Sequence, residues 1–345
     1  MKFKPRFIFT IVLAIFTAAL IAFILPWYLF ATRTLNISPI KAMVSLDSLK
    51  KIDNQVNVLI LGIAGGNHDG PLLSDSILVA NYNFKTNRII IINIPRDIWS
   101  DTLKDRINSA YAYGEAKQTG GGLKLAKAEI GAIVGKPIQY AAVINFDKFK
   151  NLIDLLGGVD INIEASFTDP KFPVAGKEED LCDADPEFKC RYETLTFNKG
   201  LMHMDGETAL NFVRSRNAIG EEGTDFARGK RQQKVITAIE EKIIKIAKTQ
   251  DIEKIKTLYE NLNRSVDRDI TNQQLAIIAK NVVMKGKPSL INLPLSEDFF
   301  DIPDYTAEYE YKYVLIPKDN DYDKIHQIIS CFFENGDETP CLMQP

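Results

Sequence analysis

Histidine is scarce: three in 345 residues, His68, His203 and His326, and none stands in a pattern with a serine or cysteine. The chain has no G-x-S-x-G elbow, no Walker A motif and no G-x-G-x-x-G fingerprint, so the usual marks of α/β-hydrolases, P-loop NTPases and dinucleotide enzymes are missing. It also lacks a net positive charge. With 42 basic and 45 acidic residues the balance is −3, which argues against a protein that coats nucleic acid, and local basic clusters read as sites. Internal repeats and low-complexity tracts are absent, and one apolar run alone is long enough to cross a bilayer.

That run lies at the N-terminus, where Phe7 to Thr32 carry no charge. About 20 such residues span a bilayer as a helix. Lys2, Lys4 and Arg6 precede the run and Arg33 follows closely. The positive-inside rule then places residues 1–6 in the cytoplasm, anchors the chain through 7–32, and puts the rest outside the cell membrane as a single-pass protein. The rival is a cleaved signal peptide, against which stand the length of the run and the lack of a well-placed small-x-small site. Residues 33–53 read as a polar linker, 54–250 as the main domain, and 251–345 as a portion completing or extending it.

Cys182, Cys190, Cys331 and Cys341 fall as two close pairs. An even count outside the membrane suggests disulfides, and pairing within each close pair is the simplest of three connectivities. Zinc fits less well, because the spacings within the pairs are wide.

Strand-like runs appear at 58–63, 77–82 and 88–94, the last two joined by a hairpin connection at 83–87. Ile89 to Ile92 show no alternation, as in a strand buried on both faces. Helical spacing marks Leu123, Ala126, Ile130, Ile133 and Val134, then Phe149, Leu152, Ile153 and Leu156. Strands are expected at 140–146 and 159–163, and residues 166–194 read as a long polar surface excursion. Ile236, Ile239, Ile243 and Ile246 stripe a helix starting near Arg228, and the tail suggests a helix at 272–285, a strand at 311–316 and a helix at 321–333. Strands alternating with helices argue for a layered α/β domain.

Four segments could carry chemistry. The turn Gly65-Gly66-Asn67-His68-Asp69-Gly70, followed by Ser74-Asp75-Ser76, combines glycines that admit a phosphate with acids that hold hard cations. A solvated turn is the plainer alternative. Pro95-Arg96-Asp97 follows the buried strand, where a clamp and an orienting acid would sit, or simply an ion pair. Arg106 and Asn108 form a weaker signal. The densest is Arg214-Ser215-Arg216 with Arg228, Lys230, Arg231 and Gln232. On a strand Arg214 and Arg216 would share one side. On a helix Arg228 and Gln232 would share one face. Lys230, and Arg231 with it, fit a solvated helical start.

In order and spacing these segments resemble the LytR–CpsA–Psr family of cell-wall glycopolymer transferases. The matching pieces are Asn57–Gly62, Ser74–Ser76, Ile94–Asp97, Arg106–Tyr111, Leu156–Val159, Gly206–Leu210, Arg214–Arg216 and Asp225-x-x-Arg228-x-x-Arg231-Gln232-Gln233. The resemblance implies a central mixed β-sheet flanked by helices. It implies an extracytoplasmic, magnesium-assisted phosphotransferase that moves a teichoic-acid- or capsule-like glycopolymer from a polyprenyl-pyrophosphate carrier onto peptidoglycan. By the same resemblance Asp75, with Asp69, would hold magnesium. Arg96, Arg106, Arg214, Arg216, Arg228 and Gln232 would hold the pyrophosphate, and Asp97 with Arg96 would serve the chemistry. The sheet and the helices near 123–134 and 149–156 would line a lipid pocket. Two positions depart from the family: Leu73 stands where Arg is common, and a longer glycine turn stands where Gly-Ser/Thr-Asp is usual.

A non-catalytic, membrane-anchored sensor or scaffold that grips polyprenyl phosphates is the alternative. A DNA-binding attenuator conflicts with the topology and the acidic balance.

Overall fold

The structure is a computed structural model that describes residues 5–44, 49–66, 70–174, 176–177, 180–295, 297–335 and 341. An apolar helix, α1 (Pro5–Leu29), runs on through a π-helical turn (Phe30–Thr34). Within it Ile15–Thr34 has a mean hydropathy of 2.0 and is long and apolar enough to cross a membrane. A short helix α2 (Pro39–Val44) follows.

Three strands, β1 (Gln55–Ile63), β2 (Ser74–Asn83) and β3 (Arg88–Asn93), form an antiparallel meander. The β2–β3 turn is closed by the Asn83 side chain, which accepts from the backbone of Lys85 and Thr86. A small ribbon, β4 (Trp99–Ser100) with β5 (Asp105–Arg106), precedes helices α3 (Ala110–Lys117) and α4 (Gly122–Val134). Strand β6 (Tyr140–Asn145) returns parallel to β1, and α5 (Phe146–Leu155) starts at once, capped by Asn145.

The next strands pair as nested hairpins: β7 (Val159–Ile163), β8 (Phe167–Pro173), β9 (Tyr192–Phe197) and β10 (Gly200–Met204). Helices α6 (Gly206–Arg214), α7 (Asp225–Lys248) and α8 (Ile252–Ser265) follow. The remaining elements are β11 (Val266–Arg268), α9 (Asn272–Lys285), β12 (Ser289–Pro294), β13 (Phe300–Asp301), β14 (Ile316–Pro317) and α10 (Asp323–Asn335). The central sheet is mixed, in the order β11-β6-β1-β2-β3-β12, so residues beyond 250 supply both of its edges. That placement explains the isoleucine run: β3 has a strand on each side and is largely buried.

On one face of the sheet, Leu59, Leu61, Val79 and Ile92 pack with Ala126 and Ile130 of α4 and Ile329 and Phe332 of α10 in a closed core. On the other, Val56, Tyr82 and Tyr140 pack with Ile277 of α9. A lateral core around Ile153, Ile161, Phe197 and Phe212 joins α5, α6 and α7 to the strands β7–β10. The segment after α1 is tied down: the Leu35 carbonyl accepts from Asn272 at 2.7 Å, and Ser38 N–H donates to Gln273 at 2.8 Å.

Several elements differ from the sequence reading. The stretch 166–194 is not a plain excursion, since it holds β8 and the start of β9 with Phe167, Asp169 and Phe172 buried. A strand over 311–316 reduces to Ile316–Pro317, because residues 306–312 close into a turn. Helix α7 starts at Asp225, three residues before Arg228, with Thr224 as its cap. Both disulfides join the near neighbours, Cys182 to Cys190 and Cys331 to Cys341.

Candidate active site

The charged residues gather where β1 and β3 end and β2 begins. At that point the β1–β2 register slips: Gly62 faces Ser76 while Ile63 faces Ser74. Asp75 is therefore the extra residue of a bulge, a device that re-aims one side chain out of the strand's alternation. Its carboxylate meets the guanidinium of Arg96. Arg96 in turn lies 3.5 Å from Asp97, and Arg106 donates to the same carboxylate at 3.1 Å. The result is an alternating chain, Asp75–Arg96–Asp97–Arg106, partly open to solvent. Among the described residues, the buried Nε atoms of Arg96 and Arg106 complete no hydrogen bond, although that of Arg96 faces the Asp97 carboxylate at 3.5 Å.

Arg216 and Arg228 join from α6 and α7. The Arg216 guanidinium is shifted down from its ordinary range, first by desolvation, then by the nearby charges of Arg96 and Arg228, against a smaller opposing pull from Asp97 and Asp75. Its surface is still exposed, as befits a side chain crowded by protein at the edge of an open cleft. It stays charged, because guanidinium does not lose its proton at physiological pH. Three like charges held together favour an anion between them.

Two glycines permit this closeness. Gly65 sits at φ +71°, and a Cβ there would come within 2.8 Å of the Asn145 side chain. Gly229 lies inside α7, and a Cβ there would approach Asn93 to 3.0 Å. A helical glycine costs roughly 0.5–1 kcal/mol against alanine. Here it brings the first turns of α7 down onto the sheet, so that Arg228 and Gln232 line one pocket with Asp75 and Arg96.

The segment after α6 is braced from beneath. Asp169, fully buried, accepts from Ser215 Oγ at 2.8 Å and from the backbone of Arg216 and Asn217 at 3.1 and 3.2 Å. Arg231, also buried, donates to the carbonyls of Phe212, Ser215 and Glu222 and to the Glu222 carboxylate at 2.9 Å. Sequence reasoning gave Asp169 no role and set Arg231 on a solvated helix face. The family motif containing Arg231 was the one available signal. Arg214 and Arg216 do not share a strand face, because Arg214 closes α6 and the chain extends only from Ser215. Arg214 places its guanidinium 4.5 Å from the centre of the Phe146 ring and 5.4 Å from that of Phe172.

The pocket continues from the charges onto Ile77 and Leu78. Leu78 is paired across the sheet with Ile60, which stays 36% exposed in the middle of the central strand. This apolar strip lies between α9, which covers one end of the face, and the start of α7 at the other. The lining expected from the helices near 123–134 and 149–156 is not what forms. Helix α4 spends its stripe in the closed core on the opposite face, and α5 packs against α6, α7 and α8.

The structure thus brings Asp75, Arg96, Asp97, Arg106, Arg216, Arg228 and Gln232 together, with Arg214 beside them in the chain. Asp69 lies outside the described residues. The disulfides lie elsewhere, in the β8–β9 connection and on α10. Among the described residues the cleft offers two carboxylates, Asp75 and Asp97, rather than a three-ligand metal cluster.

A family model, the LytR_cpsA_psr family, matches residues 33–325. Among curated proteins, the polyisoprenyl-teichoic acid–peptidoglycan teichoic acid transferase TagU of Bacillus cereus is 28% identical over 231 residues, 66% of this chain. The match spans 64% of the length of that relative, just under two thirds. Among solved structures, TagV of B. subtilis aligns with a TM-score of 0.54 at 21% identity, covering 82% of this chain and 99% of that one. YwtF (TagT), solved with bound octaprenyl pyrophosphate lipid, aligns at 0.50 and 20% identity over 83% of this chain and 94% of its own. At such identities the likeness establishes the fold.

Proposed function

This chain belongs to the LytR_cpsA_psr family, and we propose that it is an extracytoplasmic phosphotransferase acting on a polyprenyl-pyrophosphate-linked glycopolymer, with peptidoglycan as acceptor. The activity for which its TagU relative is named supports that reading. The observation that carries it is the clustering of Asp75, Arg96, Arg228 and Gln232 around a narrow cleft that also meets Leu78, the strand partner of the exposed Ile60. A diphosphate head and an apolar tail need those two surfaces side by side.

In this mechanism an acceptor sugar hydroxyl attacks the phosphorus that bears the glycopolymer. A new P–O bond forms, the P–O bond to the carrier breaks, and polyprenyl phosphate leaves. Arg96, Arg216 and Arg228 neutralise charge on the phosphoryl oxygens, where such stabilisation is the main source of rate. Arg106 holds the Asp97 carboxylate at 3.1 Å, which fixes it to orient the attacking hydroxyl and receive its proton.

Magnesium would be held by Asp75, with Asp69 as the expected second acid. One or two carboxylates completed by phosphate oxygens suit this cation, so the donor set fits. The ion would supply further charge neutralisation at the diphosphate. Arg96 would then exchange its hold on Asp75 for one on the phosphate. In the same reading α1 anchors the chain in the cell membrane with the remainder outside, as the basic N-terminal flank implies.

The direct test supplies purified protein with a lipid-linked pyrophosphate donor and peptidoglycan, with and without magnesium. Release of polyprenyl phosphate with transfer of the polymer is expected. Tight donor binding without release would instead favour a non-catalytic sensor or scaffold, the reading for which Leu73 in place of a family arginine speaks.

A further inference from the structure

Residues 301–315 put an unusual surface beside the cleft. Tyr305 is 62% exposed and Tyr311 70% exposed, and Tyr313 and Tyr113 present further open rings. Tyr311 follows Glu310 through two successive left-handed residues, at φ 54° and 51°, a conformation uncommon for a tyrosine. Hydrogen bonds from the backbone of Tyr309 and Tyr311 to the Thr306 carbonyl close this turn.

The turn is joined directly to the site. Leu315 N–H donates to the Asp97 carbonyl at 3.0 Å, and the Leu315 carbonyl accepts from Trp99 at 2.9 Å. Tyr309 sets its ring edge-on to Trp99, with centroids 5.3 Å apart. Asp105, next to the clamp residue Arg106, accepts from Lys312 at 2.9 Å and from the Tyr113 hydroxyl at 2.6 Å. The aromatic surface and the Asp97–Arg106 end of the cleft are therefore one hydrogen-bonded unit.

We propose that Tyr305, Tyr311, Tyr313 and Tyr113 form a platform that docks the glycan strand of the acceptor, sugar rings lying on phenol rings. The inference rests on the transferase reading for the identity of the acceptor. Exposed aromatic clusters mark binding surfaces, since isolated monomers rarely leave them open. A tyrosine combines an apolar ring face for sugar C–H groups with a hydroxyl for their oxygens. Charge selects between the two polymers at hand. Asp301, Asp304, Glu308 and Glu310 share the segment that carries three of the rings, with Lys312 as the single cation from 301 to 315. Such a surface repels a phosphodiester chain and accepts a glycan that carries little negative charge.

The test measures sedimentation of the full-length protein with polymer-stripped peptidoglycan. Tyr305→Ala combined with Tyr311→Ala should bind about ten-fold more weakly, the loss expected when exposed aromatic anchors are removed. The corresponding Phe pair, which keeps the ring faces and loses only the hydroxyls, should retain most of the parent's binding, and soluble teichoic polymer should not compete. Parent-like binding by the Ala pair, or full competition by the polymer, would overturn the platform. Both rings are well exposed, so unfolding temperatures should match. Tyr305→Ala alone, outside the closed turn, provides a second reading of the same loss. Polyprenyl phosphate release by the parent is followed separately. If release is absent while the Ala pair still loses peptidoglycan, the platform stands and the transferase reading falls. If release persists with an unchanged acceptor KM in the Ala pair, the platform falls and the transferase stands.

Discussion

Asp169 accepts the hydroxyl proton of Ser215 at 2.8 Å across 46 residues of chain, and neither residue is exposed. The contact holds the turn that delivers Arg216. Replacing Asp169 with Ala strips the acceptor from four donors, Ser215 Oγ and the backbone N–H groups of Lys171, Arg216 and Asn217, and a loss of about 3 kcal/mol is expected for breaking a buried charged network. Denaturant unfolding should record that loss, with activity falling in the protein that remains folded. A change under 1 kcal/mol, the size of an ordinary surface substitution, would remove Asp169 from this role.

Arg96 is the member of the clamp that touches both acids. Arg96→Ala should lower polyprenyl phosphate release by about 10²–10³-fold, the range for removing one preorganised donor to developing charge. The Arg216→Ala variant should fall in the same range with its melting temperature unchanged. Activity retained in both variants would dismantle the clamp.

Ile60 offers a test of the apolar strip that does not involve the charges. A glutamate there sets an acid where a prenyl tail would lie, and binding of a prenyl diphosphate should weaken by about ten-fold or more. Inorganic pyrophosphate should bind as before. Equal weakening of both ligands would mean that the substitution had disturbed the head site.

The Asp105–Lys312 tether carries a pH signature. Burial pushes the Asp105 carboxyl up, but hydrogen bonds from Tyr113 and Lys312 outweigh it and the group ends below its ordinary value of 3.8. Lys312 is held above 10.5, first by Glu310 and then by Asp105. A lowered acid stabilises above its unfolded value and loses that contribution as pH falls through the folded one. A raised amine stabilises below its unfolded value and loses it as pH rises through the folded one. Lys312→Met should therefore melt on the order of 1–2 °C lower at neutral pH, a modest figure for a partly exposed pair. The difference should vanish as the solution is taken well below pH 3.8. A difference that persists in acid would assign the effect to packing instead.

The Cys182–Cys190 bridge closes a loop eight residues long. Chain-entropy arguments give it about 2.5 kcal/mol. Because it lies in the β8–β9 connection, the double serine variant should lose stability and keep turnover. Labelling of free thiols in the native protein would show the bridge to be absent.

How much of this was legible depended on how local the cause was. The isoleucine run of β3 and the Pro95-Arg96-Asp97 that ends it could be read directly, because burial on both faces erases alternation. The meander and the stripes of α4 and α5 were equally plain. The bulge at Asp75 could not be read, since it depends on how β1 and β2 register. Asp169 was hidden in a polar, proline-containing stretch, and its partner lies 46 residues away. Leu210-Asn211-Phe212-Val213 is apolar enough for a strand. The Asp205 cap, which accepts from Thr208 at 2.8 Å, decides for a helix, and that choice turns Arg214 away from Arg216. The helix stripes told what was buried but not which face of the sheet would receive it.

The polar segment after α1 has one more consequence. Leu35 and Ser38 are fastened to Asn272 and Gln273, residues that begin α9, the helix lying over the sheet. With α1 in a bilayer, the catalytic body is bolted to its post rather than tethered on a leash. Its reach from the membrane would then be short and set by this junction. Under the transferase reading, the acceptor glycan would have to pass within that reach, close above the membrane.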